Sequence, residues 1–206
     1  MQIREKVLIS ELVTMRLGGE ARYVIEVESA EEVPEAYAFA REKNLPVWVM
    51  GGGANTIGYD EGYDGVIILN KIKGVEVLDE SDNSLVLKGM SGEVWDDFVK
   101  YACEKGYSGI EAMSAIPGTL GAAPVQNIGA YGQEVAQVIE SVEAYDTKEG
   151  KFVTMRKPEM EMQYRRSRFN HGEDRGRFFI TSVTVKLHKG EMQQPFYNSL
   201  QKYIDE

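Results

Sequence analysis

Residues 114–134 read SAIPGTLGAAPVQNIGAYGQE, a run of small, kinked and amide side chains with no charge before Glu134. Glycine permits a positive φ and lets the backbone approach a flat ligand closely; the glycines stand at positions 118, 121, 129 and 132. Prolines at 117 and 124 stiffen the chain between them. Because surface loops usually carry charge, we interpret this stretch as the wall of a ligand site. The alternative is a buried connection packed under a helix.

Two adjacent amides strengthen that interpretation. Gln126 and Asn127 each offer one acceptor and two donor hydrogens. Such groups match the edge of a heteroaromatic ring, where donors and acceptors alternate. We therefore expect both side chains to face a planar ligand.

Composition narrows the class of protein. The chain has 206 residues, 43% of them hydrophobic, which suits one large or two small domains. A net charge of −10 argues against nucleic acid and anionic membranes as partners. Cys103 is the single cysteine, and no apolar run approaches the roughly 20 residues of a membrane span. We expect a soluble cytoplasmic protein without a metal site, since His171 and His188 lack partners at ligand spacing.

A second glycine cluster follows the first predicted βαβ segment. The pattern predicts a strand over 21–28, a helix over 30–43 and a buried strand over 47–50. The strand leads directly into the glycine cluster Gly51-Gly-Gly-Ala-Asn55-Thr56. Consecutive N–H groups in such a turn form a concavity that binds anions such as a pyrophosphate. It matches neither a Rossmann nor a Walker fingerprint, and a plain glycine-rich turn is the alternative.

The second half of the chain predicts a further helix, further strands and a basic cluster. Strands are expected over 75–80, 85–88 and 178–187, and a hairpin over 138–147 and 151–156. The predicted helix spans 93–105 and ends at a glycine. The sequence Gln163-Tyr-Arg-Arg-Ser-Arg-Phe169 holds three arginines in an acidic chain, which favours an anion-binding cluster. A solvated basic surface turn is the alternative.

Three motifs together resemble one family. They are Gly51-Gly-Gly-Ala-Asn55, the run from Ile116 to Gly132, and Tyr164-Arg-Arg-Ser-Arg-Phe169. In order and spacing the chain is similar to the UDP-N-acetylenolpyruvoylglucosamine reductase (MurB) family over almost its whole length. The resemblance implies an α+β FAD-binding fold of the vanillyl-alcohol oxidase type. It implies two α+β subdomains, at 1–74 and 75–190, and a linker over 191–206.

The resemblance also implies roles for individual residues. The pyrophosphate of FAD is expected at Gly51, Gly52, Gly53, Ala54, Asn55 and Thr56. The isoalloxazine is expected among Ser114, Ile116, Pro117, Gly118, Gly121, Ala122, Ala123, Gln126, Asn127, Gly129, Ala130, Tyr131 and Ile180. Arg165 would bind and polarise the substrate carboxylate and Tyr164 would line the same pocket, both as catalytic residues; Tyr197 would lie near the uridine nucleotide.

The family reaction implies two further molecules. NADPH reduces the flavin, which then passes hydride to the enolpyruvyl double bond of UDP-N-acetylglucosamine enolpyruvate. The family's later serine and glutamate motifs have no counterpart here, so we expect a fragment that binds FAD without full turnover, since general acid catalysis contributes ~10²–10⁴-fold. The alternatives are an FAD-dependent oxidoreductase of the same fold with another substrate, and a non-catalytic flavin-binding module.

Overall fold

The first half of the chain forms a four-stranded mixed sheet. In the computed structural model, which describes residues 1–190 and residue 201, its strands lie in the order β1-β2-β4-β3. These strands are β1 (Gln2–Leu8), β2 (Glu20–Val27), β3 (Val47–Met50) and β4 (Tyr63–Asn70). β4 runs parallel to both β2 and β3, and β1 is antiparallel to β2. A short helix α1 (Ile9–Leu12) follows β1, and α2 (Glu32–Glu42) connects β2 to β3.

Burial explains the sequence of the central strand. Every residue from Gly65 to Asn70 in β4 is buried. A parallel strand that is covered on both faces needs apolar side chains on both, and this explains its nearly continuous apolar sequence. The strand predicted over 47–50 is present, but its expected full burial is wrong. β3 is the edge of the sheet, and Val47, Trp48 and Val49 are only partly buried.

The second half of the chain forms a larger sheet. Its strands lie in the order β11-β10-β12-β6-β5, with β7 also paired to β12. They are β5 (Val75–Glu80), β6 (Ser84–Met90), β7 (Tyr107–Ser108), β10 (Ile139–Asp146), β11 (Lys151–Arg156) and β12 (Phe178–Lys189). A two-stranded ribbon is formed by β8 (Gly129–Ala130) and β9 (Gln133–Glu134), and the helices are α3 (Trp95–Glu104) and α4 (Val135–Val138). The helices and strands expected from the sequence in this half are all present, within a few residues of their predicted ends.

One apolar cluster joins the two sheets. Ile25 and Ile68 of the first sheet share it with Tyr145 and Phe179 of the second. Tyr37 of α2 packs on both of these aromatic rings, with centroids 5.9 and 6.4 Å away. The predicted division between residues 74 and 75 falls between β4 and β5, so each sheet is built from a consecutive part of the chain.

The described residues contain no helix that could span a membrane, and they do not include Tyr197. Within its described residues, no helix is both long enough and apolar enough to cross a bilayer. Tyr197, expected near a uridine nucleotide, lies outside the described residues, as does the segment 191–206 apart from residue 201.

Candidate cofactor site

A cavity of about 470 Å³ opens where the two sheets meet. This volume lies within the range of roughly 300–1,000 Å³ found for ligand pockets. Its wall combines residues of both sheets. Those predicted for the site are Gly51, Gly52, Gly53, Ala54, Asn55, Thr56, Ile116, Pro117, Gly118, Gly121, Ala122, Ala123, Gln126 and Ile180.

Every residue of the 51–56 loop lines this cavity. Among the described residues, the N–H groups of Gly52, Gly53, Ala54 and Asn55 donate to no protein acceptor. The loop is held from behind instead, since the Thr14 N–H donates to the Gly53 carbonyl at 3.1 Å. Unpaired N–H groups in a pocket wall are suited to a phosphate or another anion.

Glycine is required in this loop for close packing. Gly53 has φ +65°, and a Cβ there would collide with the carbonyl oxygen of Leu12. A Cβ on Gly52 would lie 3.2 Å from the Cα of Gly118. The two glycine-rich segments therefore touch each other, and they form a single composite wall. Asn55 Nδ2 also reaches Gln126 Oε1, at 3.4 Å.

The start of the second glycine-rich segment is fixed by α3. Asp96 Oδ1 accepts hydrogen bonds from the Ser114 hydroxyl and the Ala115 N–H, both at 2.7 Å. These bonds lower the pKa of the Asp96 carboxyl, the backbone bond being the larger cause. Ser114 is exposed and does not line the cavity. Trp95, which does, donates from Nε1 to the Met113 carbonyl at 2.8 Å.

The expectation that Asn127 presents its amide to a ring is corrected by the structure. Asn127 is 2% exposed and does not line the cavity. Its Nδ2 donates to Glu134 Oε2 at 2.8 Å and to the Gln163 carbonyl at 3.0 Å, and its Oδ1 accepts from the Ala136 N–H. With both amide hydrogens bound to protein, Asn127 ties the glycine-rich segment to the basic cluster. Gln126 does line the cavity.

The residues after Ile128 leave the cavity and meet the basic cluster. Gly129, Ala130 and Tyr131 belong to the β8–β9 ribbon and do not line the pocket. Arg165 Nη2 donates to the Gly129 carbonyl at 3.2 Å, and the guanidinium carbon lies 5.8 Å from the centre of the Tyr164 ring.

The Tyr164-Arg165 pair forms the tip of a tight turn. Gln163 and Arg166 exchange backbone hydrogen bonds across it, and Arg165 itself has φ +54°. A left-handed conformation is unfavourable for a residue with a Cβ, and such strain gathers at functional sites. Tyr164 is 80% exposed, so both side chains face solvent beside the glycine-rich segment rather than inside the cavity.

Two residues of the same motif hold this turn on the cavity wall. Ser167 is buried and its hydroxyl donates to the Val125 carbonyl at 2.6 Å. Phe169 is also buried, lines the cavity and packs edge-on against Phe178, with ring centroids 6.0 Å apart. The roles of Ser167 and Phe169 are thus in positioning the wall.

A chain of ion pairs fixes the loop between Phe169 and Phe178. Arg168 pairs with Asp174, which also binds Arg177. Arg177 reaches Asp146 through Nε at 2.9 Å and Nη2 at 2.6 Å. These hydrogen bonds are the main cause that lowers the pKa of Asp146 to about 2.

No charged side chain lines the cavity among the described residues. Tyr37 contributes to the wall, and its buried hydroxyl has no hydrogen-bond partner there. Burial raises the pKa of this phenol, so it stays neutral. The described part of the chain also holds no cluster of three His, Cys, Asp or Glu side chains arranged to bind a metal.

Several wall residues were not predicted from the sequence. They are Tyr37, Val47, Trp48, Val49, Met50, Asn70, Trp95, Thr119, Val125, Ile128, Phe169, Asn170, Gly176 and Phe178. Thr119, Val125 and Ile128 lie inside the quoted stretch, whose signals were its glycines, prolines, paired amides and lack of charge rather than these side chains. Val47, Trp48, Val49 and Met50 directly precede the 51–56 loop and Phe169 ends the quoted basic motif, whereas the others reach the cavity through tertiary packing.

The fold and the cavity define an α+β protein that binds a large nucleotide cofactor. The cavity fits FAD on three grounds: a row of unpaired N–H groups for the pyrophosphate, an uncharged wall for a flat ring, and glycines that let the 51–56 and 116–126 segments pack closely together. Residues 21–156 match the model of the FAD binding domain family. The chain belongs to this family, and its cofactor is FAD.

Curated relatives carry one name. The chain is 36% identical to the UDP-N-acetylenolpyruvoylglucosamine reductase of Amoebophilus asiaticus, over 99% of this chain and 60% of that protein. It is 37% identical to the enzyme of that name from Chlamydia felis, over 91% of this chain and 60% of that protein. The chain therefore spans about 60% of the length of these relatives.

Solved structures agree on the fold. The UDP-N-acetylenolpyruvylglucosamine reductase (MurB) of Thermus caldophilus superposes with a TM-score of 0.72 at 27% identity, over 92% of this chain and 64% of that one. The 6-hydroxy-D-nicotine oxidase of Arthrobacter nicotinovorans has a TM-score of 0.61 at 23% identity, over 82% of this chain and 37% of that one. The second similarity concerns the fold alone, which is that of the vanillyl-alcohol oxidase group.

Proposed function

We propose that this chain is the FAD-binding part of an NADPH-dependent reductase that acts on UDP-N-acetylglucosamine enolpyruvate in peptidoglycan precursor synthesis. The observation that carries the proposal is the composite wall made by residues 51–56 and 116–126, from which the Tyr164-Arg165 turn projects. The similarity to reductases of that name over nearly the whole chain supports the choice of substrate. We place the reaction in the cytoplasm, which agrees with a single cysteine.

Different residues of the cavity would bind different parts of FAD. The N–H groups from Gly52 to Asn55 would hold the pyrophosphate, while Ile116, Ala122 and Ile180 would flank the isoalloxazine. Bound FAD would supply hydride transfer from NADPH to the enolpyruvyl double bond. The wall, having no charged side chain, would exclude competing ions and much of the solvent from the ring.

Arg165 would act on the substrate rather than on the cofactor. Its guanidinium lies outside the cavity but is hydrogen-bonded to the carbonyl of Gly129, which follows the wall residue Ile128. There it can bind the carboxylate of the enolpyruvyl group in a bidentate manner. It would also stabilise the negative charge that develops on this carboxylate as hydride adds to the double bond. Tyr164 would cover the same group.

A visible absorption spectrum of the purified chain, with FAD added, tests the proposal first. We expect flavin bands that bleach with NADPH under anaerobic conditions, and that shift on addition of UDP-N-acetylglucosamine enolpyruvate. The matched control is UDP-N-acetylglucosamine, which lacks the enolpyruvyl carboxylate and should cause a smaller shift. Bound flavin whose spectrum does not change with either UDP-N-acetylglucosamine enolpyruvate or UDP-N-acetylglucosamine would point to another substrate. Bands that never bleach would point to a binding module, and no bound flavin would refute the proposal.

A further inference from the structure

Asn70 is a wall residue of the cavity and lies where the two sheets meet. It ends β4, the central parallel strand of the first sheet, and is 6% exposed. Its Nδ2 donates to the carbonyl of Ile180 on β12 at 3.0 Å and to Ser91 Oγ at 2.7 Å. A single side chain thus connects strands that belong to different sheets.

The orientation of this amide is fixed by its neighbours. The Ile180 carbonyl can only accept, so it faces the amide nitrogen, and the Ile72 N–H can only donate, so it faces Oδ1 at 3.3 Å. The Ser91 hydroxyl completes the arrangement by donating to Oδ1 at 2.9 Å. Both hydrogens and both lone pairs of the amide are therefore used within the protein, which leaves no hydrogen-bonding capacity for a ligand.

Ser91 extends the connection to the second glycine-rich segment. Ser91 is fully buried, its N–H donates to the Thr181 carbonyl at 3.0 Å, and its carbonyl accepts from the Gly121 N–H at 2.8 Å. A Cβ on Gly121 would lie only 2.5 Å from the Cβ of Ser91. Gly121 and Ile180 are wall residues like Asn70, so the Asn70–Ser91 pair is hydrogen-bonded to both of them.

The opposite wall is connected to the same point through the first sheet. β3 pairs along β4, with Met50 opposite Leu69, and it continues into Gly51. The end of β4 therefore stands between the pyrophosphate loop and the wall formed by Gly121 and Ile180. A buried polar group that is fully hydrogen-bonded holds its partners rigidly, and loss of one partner leaves the others unpaired.

We propose that Asn70, supported by Ser91, is a positioning residue that sets the separation of the two halves of the FAD cleft. It acts through Ile180 and Gly121 and does not touch the cofactor by a hydrogen bond. FAD spans both halves, so its affinity depends on this separation. ADP, which carries only the adenosine and pyrophosphate part, depends mainly on the loop from Gly51 to Thr56. This inference rests on the proposed FAD site.

The test compares Asn70→Ala and Ser91→Ala with Val24→Ala in the full chain. Val24 is fully buried in the first sheet and does not line the cavity, so Val24→Ala is a control for general loss of stability. Affinities for FAD and for ADP are measured by titration at a temperature where circular dichroism shows every variant folded. Urea unfolding of each apoprotein gives its stability.

We expect Asn70→Ala to weaken FAD binding by about tenfold, equivalent to about 1.4 kcal/mol, with ADP binding within about twofold of wild type. Ser91→Ala should weaken FAD binding by less than Asn70→Ala does, because the bond from Asn70 to Ile180 remains. Val24→Ala should leave both affinities unchanged despite its lower stability. Equal weakening of FAD and ADP binding by Asn70→Ala would overturn the inference while leaving the FAD site in place. So would a loss of FAD affinity in Val24→Ala that bears the same ratio to its loss of stability as the affinity loss of Asn70→Ala does. Absence of FAD binding in the wild type would instead refute the proposed function, and this inference with it.

Discussion

Replacing Asp146 by Asn should lower the stability of the protein by an amount that depends on pH. Asp146 is 3% exposed, and its carboxylate accepts two hydrogen bonds from Arg177 and two more from the N–H groups of Lys148 and Glu149. Its pKa falls from 3.8 to about 2, chiefly because of the Arg177 hydrogen bonds. Since each unit of pKa corresponds to about 1.4 kcal/mol, the ionised form stabilises the fold by about 2 kcal/mol at neutral pH.

The sign of the pH dependence follows from the direction of the shift. A carboxyl whose pKa is lower in the folded state contributes fully above its unfolded pKa, near 4, and the contribution is lost as pH falls toward 2. Asp146→Asn carries no such proton, so its deficit relative to wild type should be largest at neutral pH. The deficit should shrink to about half near pH 3.

Urea unfolding at pH 7, 5, 4 and 3 measures this, with the fluorescence of buried Trp95 as the signal. Glu149→Gln is the matched control, because it removes the same charge from the same turn but has no ion-pair partner among the described residues. Its stability should stay within about 0.5 kcal/mol of wild type. A deficit of Asp146→Asn that is equal at pH 7 and pH 3 would refute the argument. So would an equal effect of Glu149→Gln.

Two further predictions concern Gly53 and Arg165, each with a second variant for comparison. Gly53→Ala should destabilise the chain by at least about 1–2 kcal/mol, since φ +65° is costly for alanine and the new Cβ meets the Leu12 carbonyl; thermal unfolding measures this. Gly132→Ala, at φ +87° with no atom within 4 Å, separates the backbone cost from the collision, and an equal loss in both variants would exclude the collision. Arg165→Ala should keep its stability within about 0.5 kcal/mol and its FAD affinity, because the side chain is exposed and outside the cavity. It should weaken binding of UDP-N-acetylglucosamine enolpyruvate by roughly tenfold or more, as measured in a spectral titration. Arg165→Lys should restore only part of this, and lost FAD affinity in either variant would contradict the assigned role.

The features that the sequence predicts well are local ones. Gly51, Gly53 and Gly118 stand in short segments whose composition alone indicates unusual backbone, and the structure places these residues on the cavity wall with Gly53 and Gly118 at positive φ. The α2 and α3 helices and the long strands follow from periodicity in the same way. Such signals depend on a few neighbouring residues, so they survive without knowledge of the tertiary structure.

The features that the sequence does not reveal depend on distant partners. Asn127 and Asn70 have the same amide chemistry, yet the sequence favours a ring contact for the first and gives no signal for the second. In the structure neither has a free amide hydrogen: Asn127 binds Glu134 and the Gln163 carbonyl, and Asn70 binds Ser91 and the Ile180 carbonyl. A residue type defines what a side chain can bond to, whereas only the fold determines which partners use that capacity.

The residues of the cavity wall and the residues of the Tyr164-Arg165 turn differ in what they offer a ligand. The cavity wall offers a ligand mainly unpaired backbone N–H groups and uncharged surface, so its side chains are constrained by size more than by chemistry. Arg165 is different, because its guanidinium is held at a strained turn, outside the wall, by one bond to the Gly129 carbonyl. Under the proposed function, cofactor binding would depend on how closely the two glycine-rich segments pack, while the choice of substrate would depend on a few exposed side chains. Substitutions behind the wall should alter affinity for FAD, and substitutions at the turn should alter which acid is reduced.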